Sequence, residues 1–251
     1  MSTSSDPRTV AVGVVIPVHN EQALLPGALH SLERAWLMLE TVEVNAAVCL
    51  VLDSCTDQSE RIVRRWRRHC VNDGDSFEVH VRTLQQRNVG MARATGCTAL
   101  LELWPHLDPA RTWLATTDAD SSVPSDWLTS QVMAHEQGVD LWSGRVTIAA
   151  SSERDVTVAK WRRDYETEVH PVHGTNLGCN AASYLAAGGF APLTTGEDLA
   201  LRQSLVELGA RVRYDSSVRV LTSARRNARS PLGFAHALDV IEASLISNVR
   251  N

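Results

Sequence analysis

Two aspartates one residue apart, Asp118 and Asp120 in TWLATTDADSSVPSDWL (112–128), follow an apolar run and precede a helix signal. Carboxylates spaced this way at a strand end can offer oxygen ligands on one side to a divalent cation that keeps open positions for phosphates. Asp, Ser and Pro are also ordinary turn formers, and Ser122 and Ser125 suit the cap of a following helix, so a plain polar turn competes. Asp53 ends a second apolar run, LVLDSCTD (50–57), where an Asx turn or helix cap competes with ligand contact. Glu197-Asp198 opens a helical pattern, a position that favours acids on local grounds alone. His173, Thr175 and Asn176 in HPVHGTNLGCN (170–180) are polar candidates for a ligand site, and His173 could reach a metal or a phosphate or be purely structural. Arg225, Arg226 and Arg229 in LTSARRNARS (221–230) suit an anion, or plain exposure.

The elements that must position these residues show in the periodicity. TVAVGVVIPV (9–18) is a continuous β-branched run, as expected of a central strand covered on both faces. Helical spacing of Leu25, Leu29, Leu32, Trp36 and Leu39 follows, with Pro26 tolerated in the first turn. Strands at 44–53, 77–84 and 111–117 alternate with helices at 58–70 and 90–104. Four βα units in a row predict a parallel, doubly wound sheet. The second half is less regular: a helix over SDWLTSQVMAHEQG, a strand over DLWSGRVTI, a polar helix near 155–169, two more helices, a short strand pair near 211–222 and a final helix over GFAHALDVIEASLISNVR. In open α/β sheets ligands lie beyond the carboxyl ends of the strands. Three of the first four strand ends carry carboxylates.

Composition narrows the classes. A chain of 251 residues forms one large α/β domain, and no window approaches the roughly 20 apolar residues of a membrane span. The tail MSTSSDPRT has no export signal, so a soluble, cytoplasmic protein is expected. Cysteines 49, 55, 70, 97 and 179 are odd in number and lack a CxxC pair, which predicts reduced, mostly core thiols. Net charge is −5 and Lys160 is the only lysine, which argues against a nucleic-acid partner. The run RRWRRHC (64–70) reads as a solvated helix face whose apolar stripe is Ile62, Val63 and Trp66. Most of the seven tryptophans are expected to be core or half-buried anchors. Neither a GxGxxG turn nor a GxxxxGK[ST] loop follows the first strand, so no phosphate cradle of those types exists. A cation held by Asp118 and Asp120 is the direct alternative.

VVIPVHNE (14–21), LVLDSCTD (50–57), RNVGMARATG (87–96) and ATTDADSSVPSDWL (115–128), in this order, resemble the family 2 glycosyltransferases with the GT-A fold. GCNAASYLAAGGF (178–190) and GEDLALRQSLVELGARVRY (196–214) are similar to that family's acceptor segment, so the resemblance covers residues 10 to about 222. It implies a single GT-A domain, a mostly parallel doubly wound sheet with helices on both faces. Residues 1–9 are then a disordered tail, 10–125 the nucleotide-binding half, 126–222 the acceptor half, and 223–251 a C-terminal loop and helix.

The resemblance also implies roles. The loop after Pro17, with His19 and Glu21, would hold the base and ribose together with Asp53. His19 stands where the family often has an aromatic residue, and Glu21 equally suits a helix start. Arg93 would shape the donor site or form a structural ion pair. Asp118, Ala119 and Asp120 would meet the donor diphosphate through Mg2+ or Mn2+, with Asp120 the more direct ligand and Asp118 on ribose or a metal-bound water. Asp198 would be the base that takes the acceptor proton, with Glu197 beside it; His173, Thr175 and Asn176 could line the acceptor pocket, and Arg225, Arg226 and Arg229 could close over a diphosphate or an anionic acceptor. The family's Gln-x-x-Arg-Trp pattern is missing, which counts against processive synthesis. The expected activity is therefore inverting, metal-dependent transfer of a hexosyl group from a nucleotide-diphosphate sugar, UDP-sugar favoured, to a hydroxyl acceptor in one non-processive step. A retaining transferase and a catalytically silent nucleotide-sugar-binding protein are the alternatives.

Overall fold

The computed structural model describes residues 9–39, 44–73, 77–148, 155–223 and 238–244. Seven strands, β1 Ala11–Val18, β2 Asn45–Asp53, β3 Glu78–Leu84, β4 Thr112–Thr116, β5 Leu141–Ile148, β6 Leu177–Asn180 and β7 Val212–Thr222, make one sheet in the order β3-β2-β1-β4-β6-β5-β7. All ladders are parallel except the two that β6 makes with β4 and β5. The helices are α1 Leu25–Leu39, α2 Ser59–Asp73, α3 Val89–Leu103, α4 Trp127–Glu136, α5 Asp155–Glu166, α6 Ala181–Ala186 and α7 Glu197–Glu207.

Strand alternation sorts the core into two layers. Val12, Val14, Ile16 and Val18 of β1 face the layer with Leu29, Leu32 and Trp36 of α1, Trp66 of α2 and Trp127 of α4. Val15 faces the other layer with Leu100 of α3, Tyr184 of α6, and Leu201 and Leu205 of α7. Burying each such side chain contributes about 1.5–3 kcal/mol, so the doubly covered β1 anchors the fold. Trp36, Trp113, Trp127 and Trp142 are fully buried, as expected of anchors. A smaller cluster joins Val146 and Ile148 of β5 to Val158, Trp161 and Tyr165 of α5 and to Leu238 in the helical residues 238–244. The cysteines are free thiols, buried except for the half-buried Cys55. Burial pushes the Cys49 thiol up to about 11 and Cys97 up to about 12, which keeps both protonated and unreactive.

Two local expectations fail. The region 212–222 is one strand, not a pair: the ladder jumps from Gly144↔Asp215 to Arg145↔Arg219, so three extra residues bulge out of β7. Neither Ser122 nor Ser125 caps α4, whose cap is Asp126 without a side-chain bond; Ser122 instead forms an antiparallel bridge with Leu221.

Candidate active site

Three loops leave the carboxyl ends of β1, β2 and β3, and each contains a non-glycine residue in the left-handed region: Asn20 (φ 54), Ser54 (φ 54) and Arg87 (φ 49). Such backbone is uncommon and persists where surrounding bonds over-determine it. The bonds are present here. Asp53 Oδ1 accepts the backbone N–H groups of Gln86 (2.8 Å) and Arg87 (2.9 Å) and the Ser54 hydroxyl (2.9 Å), while Oδ2 accepts from Asn88 N–H (2.8 Å). Burial works to raise the Asp53 pKa, but these donors outweigh it and hold the carboxyl below its ordinary value. Asn20 Oδ1 accepts from Thr56 N–H (2.7 Å) and Asp57 N–H (3.3 Å). Asp57 accepts from Gln22 N–H and Ser59 N–H at 2.9 Å each, and Ser59 Oγ accepts from Glu21 N–H at 2.8 Å.

After β4 the chain turns through Asp118-Ala119-Asp120, and several elements fix that turn. Asp118 N–H donates to Thr175 Oγ1 (3.3 Å), Ser121 Oγ donates to Thr222 Oγ1 (3.0 Å), and Val123 N–H donates to Ser31 Oγ of α1 (3.1 Å). Arg93, one turn into α3, has a 4 % exposed side chain. Its Nη2 donates to Asp118 Oδ1 at 2.5 Å, and its Nη1 donates to Glu197 Oε1 at the start of α7. The guanidinium thus ties the β4 turn to α7. A buried charge in such a place persists only when paired. Gly174 lies against it: a Cβ there would overlap the Arg93 guanidinium, so only glycine allows the approach. Gly174 N–H donates to Asp198 Oδ2 (2.8 Å) and Gly174 O accepts from Thr116 Oγ1 (2.5 Å), which joins loop, sheet and helix. Asp198 Oδ1 accepts from Leu199 N–H (2.8 Å). Gly196, the cap of α7, sits at φ 77, where a side chain would be strained.

Residues 13–185 match the family model described as glycosyl transferase family 2. The chain belongs to that family. The chain also resembles solved structures at low identity. One is residues 1–349 of TarS from S. aureus (15% identity, TM-score 0.58, covering 86% of this chain and 61% of that one). Another is the mannosyltransferase PcManGT from Pyrobaculum calidifontis in complex with GDP-Man and Mn2+ (19%, TM-score 0.60, 99% and 67%). A third is glucosyl-3-phosphoglycerate synthase from Mycobacterium tuberculosis in complex with Mn2+, UDP and phosphoglyceric acid (15%, TM-score 0.53, 95% and 78%). The chain spans about three fifths of the TarS chain it matches. These likenesses show the fold. No curated protein sequence matches significantly.

In the fold, the residues singled out in the sequence fall into three groups. Arg93, Asp118, Glu197, Asp198, Thr175 and His173 are brought together around Gly174. Pro17, His19, Glu21 and Asp53 lie at the ends of β1 and β2, with His19 Nδ1 2.7 Å from Asp53 O. Arg225, Arg226 and Arg229 lie outside the described residues. Asn176 is a correction. It is 0% exposed, its amide donates to Arg145 O (2.7 Å) and Val218 O (3.2 Å), and its Oδ1 accepts from Trp127 Nε1 (2.8 Å), so it joins β5, β7 and α4 and cannot line an acceptor pocket.

His173 Nε2 is buried with no hydrogen-bond partner among the described residues, and its ring lies 5.5 Å from that of Tyr165. Burial lowers its pKa against the pull of Asp198 and Asp118, which leaves a neutral imidazole beside the two acids. Among the described residues no group of three or more His, Cys, Asp or Glu gathers as a cation cage. Asp118, a third exposed, and the half-buried Asp120, on either side of the buried Ala119, remain as a two-carboxylate donor set, which suits Mg2+ or Mn2+ held jointly with phosphates. The sequence reading missed the three-residue clamp on Asp53 and the Asn20 clamp. A strand-end Asn is the one signal that pointed to the latter.

Proposed function

We propose that this transferase moves a sugar from a nucleotide-diphosphate donor, UDP-sugar favoured, to a hydroxyl acceptor with inversion, in one non-processive and metal-dependent step. The Arg93 bridge carries this reading, because it joins the Asp118 turn to the helix start where Asp198 is the next residue. Asp118 and Asp120 lie on the turn after β4, Arg93 links that turn to Glu197 beside Asp198, and a donor diphosphate needs a countercharge to approach these acids. Bound at Asp118 and Asp120, Mg2+ or Mn2+ supplies Lewis-acid stabilisation to the leaving diphosphate.

The loops clamped by Asp53 and Asn20 offer a preset surface for base and ribose. Each Asp198 oxygen accepts one backbone N–H, which leaves a lone pair to take a proton. That carboxylate removes the acceptor hydroxyl proton as its oxygen bonds to the anomeric carbon. The bond from that carbon to the diphosphate oxygen breaks, and the nucleoside diphosphate departs. Arg93 and Gly174 N–H hold the two acids of α7 in place. Mn2+ in PcManGT with GDP-Man, and in the M. tuberculosis synthase with UDP, supports the choice of donor class and metal. Among the described residues no helix is long and apolar enough to cross a membrane.

The test is nucleotide release from UDP-, GDP- and dTDP-sugars with Mn2+, Mg2+ or EDTA. At least one donor should be consumed with metal and none with EDTA, and Asp120→Ala should lose metal-dependent donor binding. Failure of every donor to bind with either metal would overturn the reading.

A further inference from the structure

One turn beyond Asp198, α7 carries a second polar assembly. Arg202 stands at i+4 from Asp198 and so lies on the same helix face, roughly 6 Å along the axis. Its Nε–H donates to the Tyr214 hydroxyl of β7 at 2.9 Å, and its guanidinium carbon is 6.0 Å from the Tyr214 ring centroid. The exposed His170 ring lies 4.4 Å from the same tyrosine ring. Three side chains from three separate segments therefore meet, and Tyr214 fixes the plane of the guanidinium. The two terminal nitrogens of Arg202 have no partner among the described residues. Among the described residues the Asp198 oxygens accept from Gly174 N–H and Leu199 N–H and not from Arg202.

The segment between the two groups is held down. Tyr214 is opposite Ser143 in the β5–β7 ladder, and Ser143 Oγ donates to Pro171 O at 2.7 Å. Residues 170 to 174 thus form one wall, with His170, Tyr214 and Arg202 at one end and Gly174 and Asp198 at the other. A guanidinium held through Nε presents its remaining fork to a bidentate anion, a geometry that matches phosphate or carboxylate and that an ammonium cannot copy.

We infer that Arg202, Tyr214 and His170 form an acceptor subsite for the anionic group, phosphate or carboxylate, of a small hydroxylated acceptor whose hydroxyl then reaches Asp198. The inference rests on Asp198 as the base. The one-turn separation suits an acceptor whose hydroxyl and anionic group are a few bonds apart. A neutral acceptor leaves the fork unmatched.

The test separates binding from turnover. In EDTA, calorimetric titration of the full chain with glycerol 3-phosphate, glycerate and glycerol should show binding of one or both anions and not of glycerol. Arg202→Gln should weaken anion binding by about tenfold or more, Arg202→Lys should restore part of it, and Asp198→Asn should leave it in place. Comparison of the phosphate and carboxylate arms assigns the anion. Anion binding within about twofold of wild type in Arg202→Gln, or glycerol binding as tightly as the anions, overturns the subsite. Arg202-dependent anion binding in a protein that consumes no nucleotide-sugar supports the subsite and removes the transfer chemistry assigned to Asp198 instead.

Discussion

The loops after β1, β2 and β3 and the segments around β6 and α7 are fixed by different bonds. In the first region, side-chain oxygens hold backbone: Asp53 and Asn20 each take two or more N–H groups from a neighbouring loop, and Asp57 takes one from the loop after β1 and one from the start of α2. In the second region, charge holds charge: Arg93 sits between Asp118 and Glu197, and Asp198 touches the wall through one N–H of Gly174. The first arrangement sets a shape and leaves little for a ligand to change. The second leaves carboxylate lone pairs open and responds to any cation or proton that arrives.

The largest effect expected from this contrast is at Asp198. Asp198→Asn should lower the transfer rate by about 10²–10⁴-fold with donor binding intact in calorimetry, since general-base loss has that size. Transfer at the normal rate would leave the second region with a structural role only. Next is Arg93→Met, which strands the buried Glu197 and should cost about 3–5 kcal/mol in urea unfolding. A cost under about 1 kcal/mol, the size of an exposed pair, would show that charge does not hold this region.

The smallest effect is in the first region, where Asp53→Asn places an amide donor against backbone N–H groups and should cost about 1–3 kcal/mol at pH 7. The folded Asp53 pKa lies below the ordinary value of about 3.9, so the unfolded chain binds more protons between the two values. The stabilisation is therefore complete above about pH 5 and is lost as pH falls through the folded pKa. The gap between wild type and variant should close on acidification, and a gap unchanged at about pH 3 would remove the ionised carboxylate from the account.

The same contrast explains what the sequence revealed. Apolar runs and helical spacing are local, so β1 to β4 and α1 to α3 were legible within a few residues of their bounds. Asp118, Asp120 and Asp198 stood out through the family resemblance, because acids at strand ends and helix starts also serve as turn formers and caps. The pairing of Arg93 with Glu197 was not legible, since 104 residues separate them and only the packing of α7 against α3 brings them together. Asn176 misled for a physical reason: a buried amide that bonds three elements carries the same polar letter as one that lines a pocket. Ser122 looked like a cap because its bridge partner, Leu221, lies far along the chain.

That bridge and the bulge in β7 have a consequence for association. β7 is a sheet edge, and an 11-residue edge of unpaired backbone invites a strand from another chain. The register jump between Asp215 and Arg219 bends the edge near its middle, and Ser122 occupies Leu221 from outside. Among the described residues only short stretches of β7 backbone remain open to a foreign strand, so the irregularity that resembled a break between two strands guards this edge against pairing with another chain.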